Sequence, residues 1–189
     1  TRNTVRRALS MLADGMFVQP IHGKGVRVIW LKGETDMLGA LEEVESFGEF
    51  AKRNNAVAST DVKSFEHLVC TEQLSRRLGF KVGEKLIRVV RVRSLNGNAR
   101  QVDHGYFLES IAKGLTPEIA ARSIYDYLEH KRGVKVMASR RTVSVELAND
   151  EDCSYLDLGK YNCVAVMESQ SYTSDGILFE VTQDRKSVV

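Results

Sequence analysis

A chain of 189 residues, 43% hydrophobic and 28% charged, is long and apolar enough to bury a core, which excludes a disordered or low-complexity polymer. It holds no run of 18 apolar residues, which excludes a helical membrane span. Its net charge of +2 is uneven: residues 1–28 carry a net +4 and the rest −2, which points either to a polyanionic partner for one end or to a solvated basic terminus.

The opening stretch, TRNTVRRALSMLAD, places Val5, Ala8, Leu9 and Leu12 on one helical face and Asn3, Arg6, Arg7 and Ser10 on the other. Thr1 can cap this helix and Gly15 can end it. MFVQPIHGKGVRV then gives two short β-prone runs around His22-Gly23-Lys24-Gly25. A helix with a cationic, amide-bearing face suits a major groove, where Arg and Asn side chains read base edges. A basic hairpin beside it suits the phosphate backbone. The DNA-binding candidates are Arg2, Asn3, Thr4, Arg6, Arg7, His22, Gly23 and Lys24.

Residues 29–45 read as a polar, acidic linker. In SFGEFAKRNN, Ser46 and Glu49 form a capping-box pattern, and Phe47, Phe50 and Ala51 face inward. The amides of Ser46, Phe47 and Gly48 can receive an anion, although the Glu49 carboxylate competes for the same helix end. CTEQLSRRLGFKVGEK predicts a helix stopped at Gly79 and a turn at Gly83.

KLIRVVRVRSL is a strand by its β-branched content. One face carries Ile87, Val89, Arg91 and Arg93, the other Arg88, Val90 and Val92, so the pattern leaves the core side open. Arg91 and Arg93 form either an anion clamp or the solvated end of a sheet. NGN marks a hairpin turn, and ARQVDHGYFLE returns with Asp103 and His104.

GLTPEIAARSIYDYLEHKRG predicts a helical segment with Thr116 as N-cap and Pro117 at its first position. Ser123 interrupts it, pointing either into a cleft or into a helix break. VKVMASRRTVSVEL predicts a strand, NDEDCSYLDLG a short helix from Asn149 to Gly159, and NCVAVMESQSYTSDGILFEVTQ a hairpin turning at Ser174-Asp175-Gly176. Strands joined largely by hairpins argue for an α+β fold with a mainly antiparallel sheet.

No motif for catalysis emerges. P-loop, GxGxxG, HExxH and GxSxG patterns are missing, and His22, His67, His104 and His130 are dispersed. His104 and Asp103 point to opposite faces of their strand and form no dyad. Cys70, Cys153 and Cys163 are odd in number and lack metal spacing. These features predict a cytoplasmic binding module with no catalytic residue, metal or cofactor.

The spacing TRNTVRRAL..L...G.......GKG..V resembles the recognition helix and wing of the GntR family of winged-helix regulators. The two helices that precede them in that family are missing from this sequence, so residues 1–28 are expected to be a partial winged-helix DNA-binding domain, loosely held and weak on DNA by itself. Residues 46–189 resemble the UTRA effector-binding domain of the family's HutC branch, through GLTPEIAARSIYDYLE and YLDLGKYNCVAVMESQSYTSDGILFEVTQDR.

The resemblance implies a chorismate-lyase-like fold in a homodimeric repressor that leaves operator DNA on binding a small effector. It is strongest to members that control trehalose utilisation, which implies trehalose 6-phosphate. It assigns the effector's phosphate to Ser46, Phe47, Gly48, Arg91 and Arg93. The sugar goes to Asp103, Ser123, Glu180 and Arg185. The terminal QDRKSVV departs from the family's usual pattern and suggests a truncated last strand. A different anionic metabolite, such as an amino-sugar phosphate, remains an alternative effector, and a lyase-like enzyme an alternative activity.

Overall fold

The computed structural model describes residues 1–14, 17–29 and 47–188. The chain divides into two compact units, residues 1–36 and 37–189. In the first, helix α1 (Arg2–Asp14) precedes an antiparallel pair, β1 (Val18–Ile21) and β2 (Gly25–Val28). His22, Gly23 and Lys24 form the turn between them, closed by the Lys24 amide donating to the Ile21 carbonyl at 3.0 Å. No residue of α1 is buried. The Thr1 and Thr4 hydroxyls share a hydrogen bond of 2.8 Å at the start of that helix.

The second unit holds α2 (Phe47–Arg53), β3 (Ala58–Val69), α3 (Glu72–Leu78), β4 (Lys85–Leu95) and β5 (Asn98–Leu108). These are followed by α4 (Pro117–Ala120), α5 (Ile124–Arg132), β6 (Ala138–Leu147), α6 (Asp150–Tyr155), β7 (Cys163–Tyr172) and β8 (Leu178–Ser187). Its strands form one sheet in the order β3-β4-β5-β8-β7-β6, with every neighbour antiparallel. The long excursion through α4 and α5 carries the chain away from β5, and β8 fills the place beside it. The β4–β5 hairpin turns on Asn96 (φ 51°) and Gly97 (φ 83°), the double positive φ that a tight two-residue turn requires.

Successive strand residues alternate faces, and both faces of β4 and β5 are covered. On one side α4 and α5 pack Ala120, Ile124 and Leu128 over Ile87, Val89 and Phe107. On the other, Leu156 at the end of α6 covers Val90, Val92, Val102, Val164 and Val166. At the far end of the sheet α3 buries Leu78 against the main cluster. Double coverage explains why the sequence of β4 shows no single apolar side.

The structure corrects or sharpens the sequence reading in four places. Strand β3 has no counterpart among the sequence-based expectations; its edge position leaves most of it exposed, which blurs any alternation. The segment after Thr116 is two helices, with the break at Ser123 that the sequence left as one alternative: its backbone is extended and its hydroxyl accepts the Asp126 amide at 3.1 Å as cap of α5. Helix α6 ends at Tyr155 rather than near Gly159, since Leu156 turns extended to enter the core. Strand β8 runs ten residues, from Leu178 to Ser187.

Among the described residues no helix is long and apolar enough to cross a membrane.

Candidate functional site

A cavity of about 280 Å³ opens on the sheet face beneath the α4–α5 junction. Register places its floor. Arg91 on β4 pairs with Asp103 on β5, Asp103 with Asp184 on β8, and Asp184 with Met167 on β7. Residues two apart on each strand keep to this face, which brings in Arg93, Glu180, Thr182 and Ser169. Phe47 and Gly48 at the start of α2 close one side; Ser123 and Tyr125 close another.

The two arginines converge on one carboxylate oxygen. Asp103 Oδ2 lies 2.6 Å from Nη2 of Arg91 and 2.6 Å from Nη2 of Arg93. Arg91 also donates through Nη1 to the Ala120 carbonyl at 3.2 Å, so its plane is fixed from above by α4. The Arg93 guanidinium sits 5.2 Å from the centroid of the Phe47 ring. Burial alone raises the Asp103 carboxyl, but the two guanidiniums outweigh it and hold that carboxyl below its ordinary value. Nε of Arg91, Nε of Arg93 and Oδ1 of Asp103 are buried with no hydrogen-bond partner. Orphaned buried donors and acceptors carry a desolvation penalty, and a guest that supplies partners relieves it.

The other end of the cavity is acidic and hydroxylated. Glu180, 2% exposed, accepts a hydrogen bond from Tyr125 Oη at 2.6 Å. Burial pushes its carboxyl up to about 7, against the Tyr125 and Ser171 hydroxyls, which pull it down. Asp184 rises to about 6, through burial and the neighbouring Asp103.

A raised carboxyl favours the folded state when protonated. The Glu180 contribution is therefore complete below its ordinary value of 4.5 and is lost as pH rises through about 7. Denaturant melts near pH 5 and pH 8 should show wild type losing roughly 3 kcal/mol more than Glu180→Gln across that interval. Gln keeps the Tyr125 hydrogen bond and cannot ionise.

The structure thus brings together Phe47, Gly48, Arg91, Arg93, Asp103, Ser123 and Glu180. Ser46 lies outside the described residues. Arg185 does not join the group, and its assignment to the sugar must be corrected. It projects from the opposite face of β8, where its guanidinium meets Asp152 at 2.9–3.0 Å and Glu146 at 2.6 Å. A larger hollow of about 470 Å³ lies on that opposite face, between α3 and α6. Most of its charged groups already have partners: Arg88 with Glu66, His104 with Glu151, Glu168 with Gln183. The smaller cavity, with its orphaned guanidinium nitrogens, is the better candidate.

A sequence model of the UTRA domain matches residues 53–186. The chain belongs to the UTRA family. This UTRA chain is 30% identical over 185 residues to the HTH-type transcriptional regulator TreR of Bacillus subtilis (strain 168), covering 98% of this chain and 76% of TreR. It is 24% identical to the HTH-type transcriptional repressor NagR of the same organism, covering 95% and 72% of the two chains. Among solved structures, the effector-binding domain of the B. subtilis trehalose repressor superposes with a TM-score of 0.63 at 28% identity, over 69% of this chain and 90% of that one. YydK of B. subtilis, described as a possible transcriptional regulator, gives 0.74 at 22% identity, over 99% and 78%, a likeness of fold. These curated relatives of the UTRA chain are HTH-type transcriptional regulators.

Several lining residues of the UTRA cavity escaped sequence reasoning, chiefly Asp184, Thr182, Tyr125 and Arg141. Asp184 and Thr182 carried a signal: they share the parity of Glu180 on one strand. Tyr125 and Arg141 carried none, because only the fold brings α5 and β6 to the same rim.

In the first unit Arg2, Asn3, Thr4, Arg6 and Arg7 are exposed on α1, and His22, Gly23 and Lys24 are exposed in the hairpin turn.

Proposed function

We propose that this protein is a transcriptional repressor whose UTRA cavity binds trehalose 6-phosphate and thereby releases operator DNA. The observation that carries the reading is the convergence of two nearly buried guanidiniums with unpartnered Nε groups on one point of the cavity. Planar guanidinium forks suit phosphate oxygens. From Asp184 to Glu180 is four residues of β8, about 13 Å of strand. That length takes a phosphate at the arginine end and a polyhydroxylated body running toward Glu180 and Tyr125. The relative named as a trehalose repressor supports the choice of sugar.

A ligand shifts a two-state equilibrium only by its differential affinity for the two states. The phosphorylated sugar must therefore bind the DNA-released state more tightly than the DNA-bound one. Arg2, Asn3, Thr4, Arg6 and Arg7 on α1, with the His22–Lys24 turn, serve the DNA contact in this reading.

Titration calorimetry with trehalose 6-phosphate, trehalose and N-acetylglucosamine 6-phosphate tests the proposal. The disaccharide phosphate should bind at least tenfold more tightly than either other sugar. Equal affinity for trehalose and its phosphate would remove the anion clamp. Preference for the amino-sugar phosphate would support the second reading.

The active protein in this reading is a homodimer. Val143, Val145 and Leu147 are 45–74% exposed on one side of β6, an edge strand of the sheet. An exposed apolar stripe on an edge strand offers a surface that a second copy can cover. Val145→Glu should shift sedimentation from dimer to monomer at micromolar concentration; an unchanged dimer places the interface elsewhere.

A further inference from the structure

Asp103 occupies the position that a guest's negative group would take. A single oxygen of it serves both arginines, and its other oxygen is buried without a partner. The carboxyl is 2% exposed and stands opposite Asp184 in the β5–β8 register. Other charges face this pair: Lys186 lies two residues along β8, Arg141 reaches the rim from β6, and Arg122 from the α4–α5 junction. Glu180 and the Tyr125 phenol stand farther along β8 and α5. The parts of α2 and β3 that line the cavity bring only uncharged groups, such as Phe47 and Thr60.

An incoming anion meets a clamp that already has its counter-ion. If guest and Asp103 both kept full negative charge around two guanidiniums, like charges would be packed together in a site of low polarity. The side chain of Asp103 is enclosed by the sheet and α4, which leaves little room for it to swing out to water. Neutralisation is the remaining route, and the carboxyl across the ladder offers a place to hold the proton.

We propose that an anionic effector enters this cavity by exchange: it takes Arg91 and Arg93 from Asp103, and the Asp103–Asp184 pair takes up one proton from solvent. The inference rests on the anion-binding reading above and adds its regulation by pH. No covalent bond changes. The proton comes from buffer, and the pair goes from two charges to one.

The carboxyl values agree with this direction. Burial and Asp103 have already raised Asp184 to about 6, and one more negative neighbour raises it further. The arginines are what hold Asp103 down, and their transfer to the guest removes that hold. Near pH 7.5 the pair is therefore mostly ionised when empty and singly protonated when filled. Affinity should fall by up to roughly tenfold per pH unit above about pH 6, the slope for one proton bound with the ligand.

The test is calorimetry on the full chain at about pH 7.5, in Hepes, imidazole and Tris, whose ionisation heats differ. The probes are trehalose 6-phosphate and inorganic sulfate; sulfate does not titrate in this range, so any proton taken up belongs to the protein. The slope of observed heat against buffer heat should give between about 0.5 and 1 proton taken up with either probe. Asp184→Asn should still bind sulfate but lose most of that uptake. Asp103→Asn, if it folds, should bind sulfate at least tenfold more tightly, because the resident counter-ion is gone. Zero uptake in wild type, uptake unchanged in Asp184→Asn, or weaker sulfate binding in Asp103→Asn would each overturn the exchange. If neither probe binds at all, the effector reading itself fails; binding without proton uptake defeats only the exchange.

Discussion

Arg91→Ala should weaken trehalose 6-phosphate binding by roughly 100- to 1,000-fold, the usual range when one partner of a buried, hydrogen-bonded charge pair is removed. Arg91 is the more enclosed of the two arginines, with 5% of its side chain exposed against 15% for Arg93. It is also held by the Ala120 carbonyl, so its fork is pre-aimed. Arg93 lies against Phe47, nearer solvent, and its alanine variant should lose about tenfold. Arg91→Lys should recover only part of the loss, because an ammonium cannot present two parallel donors. Neutral trehalose is the control. Its binding should change by less than about threefold in Arg91→Ala, since no phosphate is there to miss the guanidinium. If both sugars lost affinity equally, Arg91 would be supporting the cavity wall and not an anion. Calorimetry on each variant, with a thermal melt to verify folding, separates the two outcomes.

Much of this site was visible in the sequence because its chemistry follows strand parity. Arg91 and Arg93 are two apart on a β-branched run, so they had to share a face. Their partner on the return strand was not legible: a regular hairpin from the NGN turn would set Arg91 opposite Val102, and a one-residue register shift between Arg93 and Ser94 brings Asp103 there instead. The same rule shows why Arg185 was misplaced. Glu180 and Arg185 are five apart on one strand, so a regular strand sends them to opposite faces.

Other features could not be read at all. Ser123 both breaks the helical segment and lines the cavity, where the sequence left a cleft and a helix break as alternatives. Which side of β4 is core could not be read either, because helices cover both. Tyr125 meets Glu180 across 55 positions of sequence, a contact that no local pattern encodes.

Arg185 has a different task, and its removal should be the most destabilising single change on the opposite face. Arg185 is 5% exposed, and its guanidinium contacts both oxygens of Asp152, which is fully buried. Asp152 also accepts the Asn149 amide at 3.0 Å, while its own amide donates to Asn149 Oδ1 at 2.8 Å, closing the capping box of α6. One carboxylate thus ties the helix start to β8 and completes its cap. Asp152→Ala leaves the Arg185 charge with only Glu146, which is about half exposed. Breaking a buried pair in this way costs about 3–5 kcal/mol, and losing the cap adds about 1 kcal/mol. Replacing both partners with apolar residues, Asp152→Leu with Arg185→Met, should restore part of that stability, since no unpaired charge is then buried. Denaturant unfolding of the two single variants and the double variant measures the coupling directly. Because Arg185 faces away from the effector cavity, each variant that folds should bind sugar phosphate within about twofold of wild type. A large loss of affinity in Arg185→Met at full folding would return that residue to the effector site and contradict the placement of its side chain.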